Sequence, residues 1–237
     1  MLSDLRKCLK QLANPEKARS LAGFFKTGRD QYGEGDVFLG IQVPDTRIVA
    51  RRHLNLSLAE MRELLSSSIH EERLAALLIL IGQYDRACRL ADESRKREIF
   101  NFYVDNAKLV NNWDLVDSSA HQVLGNFLIS NGRLKPILAK LAKSGSLWER
   151  RIAIVSTYAF IRDGRFGETF AVARLLLGDK HDLINKAVGW MLREVGKRDQ
   201  VAEEKFLRAH CKKMSRTSLR YAIERFDKNK KKFYMKK

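Results

Sequence analysis

Lys186-Ala187-Val188-Gly189-Trp190-Met191-Leu192-Arg193-Glu194 sets Val188, Met191 and Leu192 three and four residues apart, the spacing of one helix face. Leu147-Trp148-Glu149-Arg150-Arg151-Ile152-Ala153 and Asn111-Asn112-Trp113-Asp114-Leu115-Val116-Asp117 have the same character upstream. Segments starting near His70, Trp113, Trp148, Leu183 and Met214 each open on a polar or aromatic turn and run on into apolar helix. With Arg73, Val116, Arg151, Lys186 and Thr217 taken as equivalent, the steps are about 43, 35, 35 and 31 residues, close to a two-helix repeat. The pattern predicts an all-α chain built as an α-solenoid. The inner helix of each pair would line a concave face, with Arg73, Arg151 and Lys186 pointing in similar directions.

Other signals agree. Only Pro15, Pro44 and Pro136 interrupt the chain. Asn14-Pro15-Glu16-Lys17 reads as an N-cap followed by proline at the first helical position, and Ser57-Leu58-Ala59-Glu60 as a capping box before Met61 to Leu65. Gly28, Gly33, Gly35 and Gly40 mark a connector around Gly33-Glu34-Gly35-Asp36. The G-x-G within it lacks a preceding strand and a P-loop lysine, so a plain loop is expected rather than a phosphate cradle.

The charge is lopsided. Lys and Arg number 45 against 28 Asp and Glu, a net +17 with a pI near 10.0, so an acidic partner, nucleic acid first, is expected. From Lys205 to Lys237 thirteen basic residues face only Glu224 and Asp227. The run 228–237 is either a phosphate grip or a frayed, disordered end of a single domain spanning 1–237. Cys8, Cys88 and Cys211 are far apart with no C-x-x-C pairing, and the five histidines show no metal-ligand spacing, so no disulfide framework, metal or cofactor is expected. The longest apolar run, Leu74 to Ile81, is too short for a bilayer, and the first residues lack a signal-peptide core; the cytoplasm is the expected compartment.

Trp113 and Asp117 are i, i+4, which stacks an indole and a carboxylate on one helix face. Trp190 stands three residues before Arg193 on another helix. Tryptophan is by default a packing residue, and Trp148 is read that way. Beside charge on a concave face, Trp113 and Trp190 suit a cation or a flat base. Asp114 is read as a helix-start carboxylate favoured by the macrodipole; Asp117 lies too far into the helix for that alone. Arg150, Arg151 and Arg193 are either solvated arginines or forks for phosphate.

Phe38-Leu39-Gly40-Ile41-Gln42-Val43-Pro44, Asn112 to Asp117, Trp148 to Ala153 and Lys186 to Glu194, in that order along the chain, resemble the DNA alkylation repair family of AlkD-type, HEAT-like repeat DNA glycosylases. The resemblance implies a C-shaped solenoid with a positively charged concave groove that cradles duplex DNA. It implies excision of cationic N3- and N7-alkylated purines such as 3-methyladenine and 7-methylguanine, leaving an abasic site without flipping the base into a pocket. Asp117 would then be the catalytic carboxylate. Trp113 and Trp190 would be aromatic walls around the lesion's sugar, and Arg151 would hold the nearby phosphate. Gln42, Arg47, Arg150, Lys186 and Arg193 are the expected DNA contacts. The resemblance implies a monomer acting on double-stranded DNA without metal, cofactor or membrane, nucleoid-associated when bound. Asn112 stands where relatives often carry a second tryptophan, Val43 replaces a frequent threonine, and the loop 27–36 is longer than in some relatives. Two other readings use the same charge: a catalytically silent DNA-structure binder, and a HEAT-type adaptor for an acidic protein.

Overall fold

The computed structural model describes residues 1–236. They divide into two compact units, the first Met1–Ser119 and the second from Ala120 onward. Among the described residues there is no strand, only one isolated parallel bridge between Val37 and Ile69.

The first unit holds α1 (Leu2–Gln11), α2 (Pro15–Phe24), α3 (Val43–Arg52), α4 (Leu58–Leu65), α5 (His70–Arg89), α6 (Glu93–Asp105) and α7 (Trp113–Ser119). Local chemistry sets their starts. The Asn14 side chain accepts from the Glu16 and Lys17 amides, and Pro15 occupies the first helical position. The Ser57–Glu60 capping box forms in both directions. The twenty-residue α5 is the hub, packed against α1, α3, α4, α6 and α7 and buried on most sides, which explains its weak amphipathicity. Leu5, Leu9, Val49, Met61, Leu64, Ile99 and Phe100 are buried on the helices that pack on it.

The second unit opens on a π-helical turn, His121–Gly125, followed by α8 (Asn126–Ser130), α9 (Pro136–Ala142), α10 (Leu147–Ser156), α11 (Tyr158–Arg162), α12 (Gly167–Leu176), α13 (Asp182–Gly196), α14 (Gln200–His210), α15 (Arg216–Ala222) and α16 (Lys228–Met235). Its hub is α13, against α10, α12, α14 and α15. In the α13–α15 seam a Cβ at Gly189 would lie 2.4 Å from the Ser218 carbonyl oxygen, so only glycine admits that approach.

The helices α5, α7, α10, α13 and α15 start within two residues of the five expected repeat starts. Consecutive ones pack directly within each unit: α5 on α7, then α10 on α13 and α13 on α15. Two details differ from expectation. Arg73 does not line a surface; it is 3% exposed and paired with Asp36 at 2.6 Å. The lysine run is not frayed over 228–235 but helical, capped by Asp227 and anchored by buried Tyr234 against Phe226. Lys237, the last residue of the expected tail, lies outside the described residues. Among the described residues no helix is long and apolar enough to cross a membrane.

Candidate nucleic-acid interface

In the first unit the site is built on the start of α7. Asn112 is fully buried; its side-chain oxygen accepts from the Trp113 amide at 2.8 Å, and its side-chain nitrogen donates to Asp36 at 3.1 Å. Asp36 also takes Arg73 and His70, and the other nitrogen of His70 meets Asp114 at 2.8 Å. With carboxylates at both ring nitrogens, the two bonds form together only when the ring is doubly protonated. Burial opposes that charge, but the hydrogen bonds to Asp114 and Asp36 outweigh it and hold the His70 pKa above its usual value. Burial likewise opposes the Asp36 charge, while His70 and Arg73 hold its pKa below the ordinary range. Asp114 is therefore more than a dipole partner: it ties α7 to α5.

At 100° per residue, Trp113 and Asp117 lie within about 40° of each other on α7, while Asp114 turns toward His70. Both Trp113 and Asp117 are half-buried. Phe25 stacks on the indole at 5.2 Å and 13°, and Phe24 meets it edge-on at 5.9 Å. The column continues from Phe25 through Phe38 to His70. Asp117 also acts inward. Burial raises the pKa of the fully buried Tyr103 hydroxyl, and the Asp117 charge adds to the shift.

Gln42 is exposed at the start of α3, and its position depends on Glu71. That buried carboxylate accepts the amides of Leu39 (2.9 Å), Gly40 (2.9 Å) and Ile41 (3.2 Å). Gly40 has φ +84°, and a Cβ there would meet the Asn14 carbonyl oxygen at 2.1 Å, so the turn demands glycine. Gln42, exposed Phe24 and Asp114 border one mostly apolar cleft of about 480 Å³. Arg47 is exposed on α3.

In the second unit Lys186, Trp190 and Arg193 follow one another along one face of α13. Trp190 is half-buried; its indole N–H donates to Glu194 at 3.2 Å, and Lys197 holds that carboxylate at 2.6 Å. Tyr158 lies 6.4 Å from the Trp190 ring, with His121 edge-on to Tyr158 and the Arg198 guanidinium 6.0 Å above it. Lys186 pairs with Asp182 at 2.8 Å. Arg193 is bracketed by Glu224 and Glu194.

Arg151 and Arg150 differ from simple surface forks. Arg151 is 5% exposed and donates to the Leu183 carbonyl, joining α10 to the first turn of α13. Arg150 uses its donors on Asp179 (2.6 Å) and on the Ser144 and Gly145 carbonyls, which fixes the loop before α10 rather than leaving the fork open. Trp148 is packed in the interior as expected.

The pattern of the DNA alkylation repair enzyme family matches residues 5–226. The chain belongs to that family. DNA is accordingly its partner and repair of alkylation damage its role. Two solved structures share its fold. A predicted DNA alkylation repair enzyme from Enterococcus faecalis is 17% identical, with a TM-score of 0.70 over 91% of this chain and 97% of its own. A protein from Streptococcus mutans UA159 is 19% identical, with a TM-score of 0.55 over 92% of this chain and all of its own. At such identities the likeness is one of fold. No curated protein matches the chain.

Proposed function

We propose that this member of the family is a monofunctional DNA glycosylase that binds duplex DNA and hydrolyses the N-glycosidic bond of N3- and N7-alkylated purines. The observation that carries the proposal is the α7 face: a half-exposed carboxylate one turn from an indole, on a helix whose first turn is tied down by Asn112, Asp36, His70 and Asp114.

The chemistry suits so spare a site. Alkylation at N3 or N7 leaves the purine cationic, so it departs as a neutral base and needs no general acid. The protein has to stabilise positive charge growing on the sugar. Asp117 supplies the opposite charge and orients water on the anomeric carbon. Trp113 presents a negative ring face to the same cation. The family resemblance would give Trp190, whose indole N–H is held by Glu194, an aromatic role, and would give the buried Arg151 a phosphate-holding one. Gln42, Arg47, Lys186 and Arg193 contact the DNA, while Arg150 shapes its loop. The damaged base stays outside any protein pocket, and an abasic site is left.

A carboxylate about 4 Å from the developing cation contributes roughly 3–4 kcal/mol at an effective dielectric near 20, which corresponds to about 10²–10³ in rate. Asp117→Asn is expected to lose that factor in single-turnover release of 7-methylguanine from methylated duplex, while duplex affinity stays close to the parent's. An unchanged release rate would overturn the assignment of Asp117. Borohydride treatment should trap no protein–DNA adduct, since no amine nucleophile is used.

A further inference from the structure

Three residues outside the DNA-facing set converge on the first unit. Asp4 and Cys8 are i, i+4 on α1 and so share a face. His53 closes the C-terminus of α3 and is 6% exposed. The carboxylate oxygen, the sulfur and the ring nitrogen all lie within 4.8 Å of one another. Sequence spacing could not reveal the group, because His53 is forty-five residues beyond Cys8.

The hydrogen bonding of His53 makes the group more than a coincidence of neighbours. Its Nδ1 donates to the Val49 carbonyl at 2.8 Å, which assigns the ring proton to Nδ1 and leaves the Nε2 lone pair facing outward. That lone pair points at an Asp4 carboxylate oxygen 3.0 Å away. Two electron-pair donors at that separation need a positive charge between them. A second ring proton would satisfy the pair but would make no use of the sulfur beside it. A divalent cation uses all three. A histidine that gives its far N–H to a backbone carbonyl also has the arrangement that orients metal-bound imidazoles.

We infer that Asp4, Cys8 and His53 form a zinc site that clamps α1 to α3. Thiolate, imidazole and carboxylate together match zinc's borderline softness and exclude magnesium and calcium, which take oxygen ligands. Zinc bonds of about 2.0–2.3 Å in tetrahedral geometry set ligand atoms roughly 3.5 Å apart, so the Asp4–His53 pair at 3.0 Å would open slightly and any donor farther off, all being within 4.8 Å, would draw in by about 1 Å. Asp4 is exposed along most of its side chain, so the fourth position opens to water. Binding displaces the Cys8 thiol proton to solvent as the Zn–S bond forms, with no redox change. The site would fasten the chain's first helix and is separate from the residues assigned to DNA.

The test titrates the purified, chelator-stripped protein with Co²⁺ and then with Zn²⁺. Co²⁺ should give a thiolate-to-metal charge-transfer band that saturates at one equivalent and is displaced by Zn²⁺, and Zn²⁺ should raise the thermal unfolding midpoint reversibly with chelator. Cys8→Ser should abolish the band, and Cys8→Ser, Asp4→Asn and His53→Gln should each lose one-to-one zinc binding. A Cys88→Ser/Cys211→Ser double variant should behave as the parent. Absence of the band, its persistence in Cys8→Ser, or an unfolding midpoint indifferent to Zn²⁺ would overturn the inference. Cys8→Ser and Asp4→Asn keep the test decisive should His53→Gln fail to fold.

Discussion

Glu71 gives the sharpest test of how the turn before α3 is held. One buried carboxylate serves three consecutive amides, Leu39, Gly40 and Ile41, the last two of these bonds buried and the first partly so. Each amide-to-carboxylate bond contributes about 1.5–3 kcal/mol, and an amide left buried and unpaired costs about 1–3 kcal/mol. Glu71→Gln keeps one oxygen, which can serve Gly40 and Ile41 as Oε1 does now, but turns an NH₂ group against the Leu39 amide. The loss should be about 2–3 kcal/mol. Glu71→Ala strands all three amides; with partial relaxation and entry of water the loss should be about 3–6 kcal/mol, a large part of a typical domain's 5–15 kcal/mol. Urea unfolding at neutral pH measures both, and the order parent, Gln, Ala is required. Because Gln42 follows directly, Glu71→Gln should also weaken duplex binding. An alanine variant within about 1 kcal/mol of the parent would show that the three amides find other partners and that the carboxylate does not organise the turn.

Three further outcomes follow from the geometry. Stability drawn from His70 is full below about pH 6.5 and is lost as pH rises through its elevated folded value, while that from Asp36 is present above about pH 3.9 and is lost as pH falls. Unfolding midpoints measured across this range should therefore fall on the alkaline side in the parent, with a flatter profile in His70→Gln. Glu203 is pushed up to about 8 by burial, with the Glu204 charge adding to it. It is thus protonated in the fold at neutral pH, and its burial penalty grows from its unfolded value near pH 4.3 up to about pH 8; calorimetry should show Glu203→Gln neutral at the acid end and stabilising by on the order of 1–3 kcal/mol at the alkaline end. Gly189→Ala should cost about 1–3 kcal/mol by forcing α13 from α15, and an unchanged melting temperature would show that the seam gives way freely.

The helical class, the caps at Asn14 and Ser57, and the starts of α5, α7, α10, α13 and α15 were legible because each depends on residues a few positions apart. So was the pairing of Trp113 with Asp117 on one face of α7. What stayed hidden was long-range. Nothing near Trp113 in sequence announces Phe24 and Phe25 as its neighbours, nor Tyr158 as that of Trp190. Asp36 reads as one more polar residue of a glycine-rich connector, yet it anchors His70, Arg73 and Asn112. Arg73 and Arg150 could be read as surface cations because composition carries no record of the buried carboxylates, Asp36 and Asp179, that take them up. The lysine run could be read as frayed because its one apolar anchor, Tyr234, finds Phe226 only after the chain has turned at Asp227.

The tryptophans are distributed so that the two units can be watched separately. Trp113 is the lone indole of the first unit, and the second carries largely buried Trp148 together with half-buried Trp190. With Trp148 and Trp190 replaced by phenylalanine, emission would report on the first unit alone. Acrylamide would reach that indole from one side only, since Phe25 shields the other, and melting of the Phe25 column would register as a red shift before any change in helicity.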